Sequence, residues 1–178
     1  SGVFWASRAF VRARRTTASS GCIINITSQM GHVGAHHRVA YCASKHAVEG
    51  MTKAMAVELA AEGWRVNAVA PTFVETELTA QYLAAPEQRE YVMSSIPQGH
   101  MATTRDVANA VAFLASNLAN STTETSLLVD GGWTAKCRRL RTYVSPRPRP
   151  PGESISPITH ATLHGIGCWT RSRQAVTT

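Results

Sequence analysis

No stretch of this sequence approaches the about 18 consecutive apolar residues that a membrane-spanning helix needs. The opening Ser1-Gly2-Val3-Phe4-Trp5 lacks the basic-then-apolar layout of a secretory leader. A cytoplasmic protein with no membrane partner is therefore expected. Cysteine is scarce: Cys22, Cys42, Cys137 and Cys168 form no Cys-x-x-Cys pair and no zinc spacing. They are read as reduced thiols, two of them buried as small apolar side chains, and no metal site is expected. Charge is also modest, at 16% of residues against 44% hydrophobic, which is the balance of one soluble domain.

What charge there is falls unevenly. Residues 1–135 hold ten Lys and Arg and ten Asp and Glu, whereas residues 136–178 hold eight basic residues and only Glu153, so the formal +7 belongs to the tail. Its Pro146-Arg147-Pro148-Arg149-Pro150-Pro151 stretch forbids helix and sheet and favours extended polyproline II. The Gly, Ser, Thr and His beyond it show no apolar period, so a disordered tail is expected. Such a tail could attract nucleic acid or an acidic surface. No aromatic interleaving or RNA-binding motif accompanies the arginines, so a solvated tail is favoured over a nucleic-acid partner.

The body alternates helices and strands. Residues 7–15 read as the last turns of a helix. Cys22-Ile23-Ile24-Asn25-Ile26 is a short β-branched run after Ser-Ser-Gly and reads as a buried parallel strand. Residues 31–38, with two glycines and three histidines, read as a loop. Across residues 39–62, Ala40, Ala43, Ala47, Met51, Ala54, Ala56 and Leu59 recur at roughly helical spacing, Glu49 stands four before Lys53, and Gly63 is placed to end the helix. Residues 65–70 form a second strand stopped by Pro71, and residues 75–93 a helical excursion broken at Pro86. Thr104 caps a helix running to Ser116, and Ser126-Leu127-Leu128-Val129 is a third strand closed by Asp130-Gly131-Gly132. Strands joined by long helical crossovers give a parallel α/β sheet covered by helices.

Chemistry gathers at the strand ends. Tyr41 and Lys45 are four apart on the long helix and share one face. A phenol is a poor proton carrier at neutral pH, but an adjacent ammonium stabilises a phenolate, so such a pair can move a proton to and from a substrate oxygen. Alone, Tyr-x-x-x-Lys is a weak signal. Ser28 closes the first strand at its carboxyl end, where α/β folds place ligands, although a turn hydroxyl is the commoner role for such a serine. The segment Ala70-Pro71-Thr72-Phe73-Val74-Glu75-Thr76 closes the second strand on the same edge.

Together these residues resemble the classical branch of the short-chain dehydrogenase/reductase family. The resemblance covers residues 1–135 and is carried in order by Asn25-Ile26-Thr27-Ser28, Tyr41-Cys42-Ala43-Ser44-Lys45, Arg65-Val66-Asn67-Ala68-Val69-Ala70-Pro71 and Val129-Asp130-Gly131-Gly132-Trp133. It implies a nicotinamide cofactor, NAD or NADP, exchanging hydride with a carbonyl or alcohol. In that pattern Tyr41 is the acid and base, Lys45 assists it and bonds the nicotinamide ribose, and Ser28 holds the substrate oxygen. Pro71, Thr72, Val74 and Thr76 line the nicotinamide. The long helix resembles one that family members pack against a second subunit, so a homodimer or homotetramer is expected.

No Gly-x-x-x-Gly-x-Gly turn occurs in the sequence. The resemblance therefore assigns this chain the C-terminal portion of a doubly wound, Rossmann-like domain, with roughly 110 residues of that fold and the family's catalytic asparagine falling before Ser1. Residues 136–178 resemble nothing in the family. Thr72 and Glu124 stand where many relatives have glycine. His32, His36, His37 and Arg38 make the loop before Tyr41 polar, which favours a sugar, sugar acid or oxoacyl substrate over a steroid. Two alternatives stay open: an inactive fragment acting as an interaction half-domain, and a nucleic-acid binder acting through the tail.

Overall fold

In the computed structural model, which describes residues 2–17 and 20–135, the three runs read as strands form one sheet. Strands β1 (Cys22–Ile26), β2 (Arg65–Pro71) and β3 (Ser126–Val129) lie in the order β1-β2-β3, all parallel. Ile23 stands opposite Val66, and Val69 opposite Leu127. Val66, Ala68, Val69 and Ala70 of β2 are fully buried, as a central strand covered on both faces requires. This sheet corrects the expectation of a C-terminal portion of the fold. Among the described residues the ordered parallel sheet occupies the N-terminal portion of this chain, its last strand ending at Val129. The disorder and nucleic-acid binding expected of residues 136–178 fall outside the described residues.

Helices cover both faces. Helix α1 (Gly2–Arg15) has residues 7–15 as its last turns, as read from the sequence, and α2 spans Val39–Leu59 before a short 3-10 turn. On one face Val11 of α1 and Ala56 and Leu59 of α2 pack on Ile23, Trp64 and Val66. Trp64 meets Phe10 edge to face at 5.7 Å. On the other face Ala110 and Leu114 of α5 (Thr104–Ala115) pack on Val69, joined by Ile24 and Leu127. The Arg65 guanidinium reaches across to the carbonyls of Leu114, Ala115 and Ser116 and so satisfies the C-terminal end of α5. At its other end the cap is Thr103, one residue before the expected Thr104. Its hydroxyl accepts from Asp106 N while the Asp106 carboxylate accepts from Thr103 N.

Between β2 and α5 the broken excursion forms α3 (Glu77–Leu83) and α4 (Pro86–Ser95), with Pro86 at the first position of α4. Leu83, Val92, Ile96 and Met101 close there on Phe73, Tyr82 and Trp133 as a third cluster. Asn67, fully buried in β2, gives its amide to Thr122 O at 2.8 Å and accepts from Thr125 N at 3.0 Å, pinning the approach to β3. Glu124 in that approach is left-handed at φ 69°, a conformation that glycine adopts more readily. Cys22 and Cys42 are half-buried free thiols, so the expected burial of two cysteines does not hold for them.

The turn after β3 is a second polar fixture. The Asp130 carboxylate accepts from Gly132 N at 2.9 Å, Thr134 N at 2.8 Å and Thr134 Oγ1 at 2.7 Å. Gly131 is left-handed at φ 57°, and a Cβ there would meet Ile96 Cγ2 at 2.5 Å. Burial pushes the Asp130 carboxyl up, but the hydrogen bonds from Thr134 and Gly132 outweigh it and hold it below its ordinary value. A depressed carboxyl contributes stability that is complete above its unfolded pKa of about 4 and is lost as pH falls through the lower folded value. The stability gap between the wild type and Asp130→Asn is therefore widest above about pH 4 and narrows on acidification, as urea titrations at stepped pH will measure.

Candidate active site

The carboxyl ends of β1 and β2 open onto a cleft of about 360 Å³ lined by Ser28, Gln29, Met30, Arg38, Tyr41, Thr72, Phe73 and Thr79. Ser28, two residues past β1, is buried and caps the 3-10 turn Gln29–Gly31, its Oγ accepting from Met30 N at 3.2 Å. It thus serves the turn and still keeps its own proton to donate. Tyr41 enters from the first turn of α2 and is 44% exposed. Lys45 follows one turn later, its Nζ 5.6 Å from the Tyr41 ring centroid and 3.3 Å from Ile26 O at the end of β1. Thr72 arrives from the end of β2, and its Oγ1 is buried with no hydrogen-bond partner among the described residues.

The structure therefore brings Ser28, Tyr41 and Thr72 to one cleft and stands Lys45 beside Tyr41. Pro71, Val74 and Thr76 lie along the same chain segment without lining the cleft. Pro71 is buried in the end of β2, Val74 pairs with Ala102 in an isolated bridge, and Thr76 caps α3 in a reciprocal pair with Thr79.

Two kinds of residue were missed by the sequence reading. Gln29 is 1% exposed and its Oε1 has no partner, a burial that no local pattern signals. Glu49, which the sequence sets four before Lys53, turns inward and is buried. Its Oε1 accepts from the Thr27 hydroxyl, from Ser126 Oγ at 3.0 Å, and lies 3.2 Å from His32 Nε2. One carboxylate oxygen thus ties α2 to the ends of β1 and β3 and to the loop after Ser28. Gly31 permits this closeness, since a Cβ there would meet Glu49 Cγ at 2.9 Å. Among the described residues no cluster of His, Cys, Asp and Glu could hold a metal, and no helix is long and apolar enough to cross a membrane.

The family model described as enoyl-(acyl carrier protein) reductase matches residues 1–134. The chain belongs to the short-chain dehydrogenase/reductase family. The match corrects the expectation of a C-terminal half: the family fold lies in the N-terminal 134 residues of this chain. The galactitol 2-dehydrogenase (L-tagatose-forming) of Cereibacter sphaeroides is 42% identical over 135 residues, which are 75% of this chain and 53% of the relative. A 3-oxoacyl-[acyl-carrier-protein] reductase of Haemophilus influenzae is 44% identical over 112 residues, 63% of this chain and 46% of the relative. Among solved structures, a gluconate 5-dehydrogenase from Burkholderia cenocepacia, in complex with NADP and tartrate, superposes with a TM-score of 0.72 at 30% identity. That superposition covers 76% of this chain and 53% of the other. The chain spans about half the length of these short-chain dehydrogenase/reductase relatives.

Proposed function

We propose that this chain carries the proton-transfer site of an NAD(P)-dependent oxidoreductase acting on a carbonyl or alcohol of sugar, sugar-acid or 3-oxoacyl type. The observation that carries this reading is the convergence of Ser28, Tyr41 and the unpartnered Thr72 hydroxyl on one cleft, with Lys45 beside Tyr41. In reduction, Tyr41 Oη gives its proton to the substrate oxygen; in oxidation it takes that proton back. Ser28 donates a hydrogen bond to the same oxygen and steadies the negative charge that develops there. The Lys45 ammonium favours the negative charge left on Tyr41 Oη as its proton leaves.

The residues on the β2 side fit a nicotinamide. The orphaned Thr72 hydroxyl needs a polar partner, and Lys45 Nζ, with its single bond to Ile26 O, retains donors for a ribose. Pro71, Val74 and Thr76 would complete that side, as the family resemblance implies. When bound, the nicotinamide supplies hydride in reduction and accepts it in oxidation. Neither NAD nor NADP is preferred by these residues. A second copy of the chain is the proposed macromolecular partner, supported by an exposed stripe of small residues on α2 at Ala43, Ala47, Gly50 and Ala54.

A fluorescence titration with NADH and NADPH, followed by turnover on a panel of sugars, keto acids and 3-oxoacyl thioesters, tests this reading. Saturable binding with oxidation of the reduced cofactor is expected. Absence of both would leave the interaction half-domain as the better account.

A further inference from the structure

The Gln29 and Arg38 side of the cleft is not used by the proton-transfer residues. Arg38 precedes Tyr41 by three residues and lines the cleft beside it. Its guanidinium makes no ion pair and no hydrogen bond among the described residues. No acidic side chain lines the cleft, so Arg38 is its one fixed charge. The loop holds this residue in place at a cost: His37, immediately before it, is left-handed at φ 57°, a conformation that a residue with a side chain seldom adopts. Gln29 also lines the cleft, and its carboxamide is nearly fully buried, with an oxygen that finds no donor. A buried acceptor without a partner is rare in folded proteins, and its natural completion is a donor on a ligand. Met30 and Phe73 add apolar lining to the same cleft.

We infer that Arg38 and Gln29 form a recognition subsite for an anionic hydroxy acid, Arg38 pairing with the carboxylate and the Gln29 oxygen accepting from a hydroxyl. This rests on reading the cleft as the substrate site of the proposed oxidoreductase and selects within it. A planar guanidinium matches a carboxylate through two parallel hydrogen bonds, which a neutral polyol or a thioester cannot offer. The buried carboxamide oxygen rejects ligands that bring no donor, because it then stays unpaired. Among the three substrate types considered, the sugar acid is the one that satisfies both groups.

The test compares gluconate with glucitol, its neutral counterpart, first by calorimetric titration without nicotinamide and then by turnover. The wild type is expected to bind gluconate at least about tenfold more tightly than glucitol, and Arg38→Gln to reduce that preference by about 10–100-fold. Arg38→Lys should restore part of it, and Gln29→Met, which keeps the volume, should weaken both compounds through the lost hydroxyl contact. Equal binding of acid and polyol by the wild type, or a preference that survives Arg38→Gln, overturns the subsite. If the preference depends on Arg38 but no compound is turned over with either nicotinamide, the oxidoreductase reading fails and the subsite stands. If polyols and neutral ketones are turned over and the preference is absent, the reading stands and the subsite fails.

Discussion

The Tyr41→Phe protein loses turnover by about 10²–10⁴-fold, the range that a positioned proton donor supplies, while it still binds reduced nicotinamide. The two effects separate because the substitution removes only the Oη that moves the proton. The ring remains on α2 to face Lys45, and its exposure in the cleft means that no packed core is disturbed. Steady-state kinetics alongside cofactor fluorescence will read both quantities, and circular dichroism will verify the fold. Lys45→Met is expected to lower turnover and cofactor binding together, since its ammonium serves Tyr41 and the ribose side. Near-normal turnover by Tyr41→Phe would remove Tyr41 from the mechanism and leave the cleft without a proton carrier.

The largest expected effect on stability comes from Leu114→Ala. Leu114 is fully buried where α5 meets β2, packed among Val69, Ala110 and Ala119 with Ile24 and Leu127 around them. Truncating a leucine there loses its transfer free energy and leaves a cavity that small neighbours cannot fill, at a cost of about 2–5 kcal/mol. Against a total of roughly 5–15 kcal/mol for a domain, that is a large share. Thermal unfolding should shift down by about 10 °C or more. Leu114→Met, which conserves volume, should cost less than about 1.5 kcal/mol. A shift of under about 2 °C for the alanine variant would mean that α5 does not seal that face of the sheet.

The parallel strands were legible because strands covered by helices read as short, mostly apolar runs, and residues 22–26, 65–71 and 126–129 supply one each. The long helix was legible from its period and from Gly63, which takes the left-handed conformation at its end. The last turns of α1 were legible too, while its first turn, with Phe4 and Trp5 exposed, follows no core-facing pattern. Assigning the chain the C-terminal portion of a doubly wound domain was the error, since the family match and the parallel sheet both lie in the N-terminal portion of this chain. At the site, the spacing of Ser28, Tyr41 and Lys45 could be read because strand end and helix face are local geometry. Arg38 was legible as part of the polar loop before Tyr41, but the burial of Gln29 and Glu49 was not, because it depends on which loops and strand ends fold over them. The i,i+4 pairing of Glu49 with Lys53 was a local signal that tertiary hydrogen bonds overrode.

The third hydrophobic cluster bears on how the cleft exchanges its contents. Leu83, Val92, Ile96 and Met101, with Phe73, Tyr82 and Trp133, share no member with the two clusters that clamp the sheet. Structure that is cooperative within itself and joined to the rest at few points opens as a unit, at a free energy below that of global unfolding. Because Phe73 and Thr79 belong to both this segment and the cleft wall, such an opening widens the cleft while β1, β2 and their flanking helices stay closed. Amide protons of α3 and α4 would then exchange with solvent on a faster clock than those of β2, and admission of substrate would be timed by a satellite core several residues removed from the chemistry.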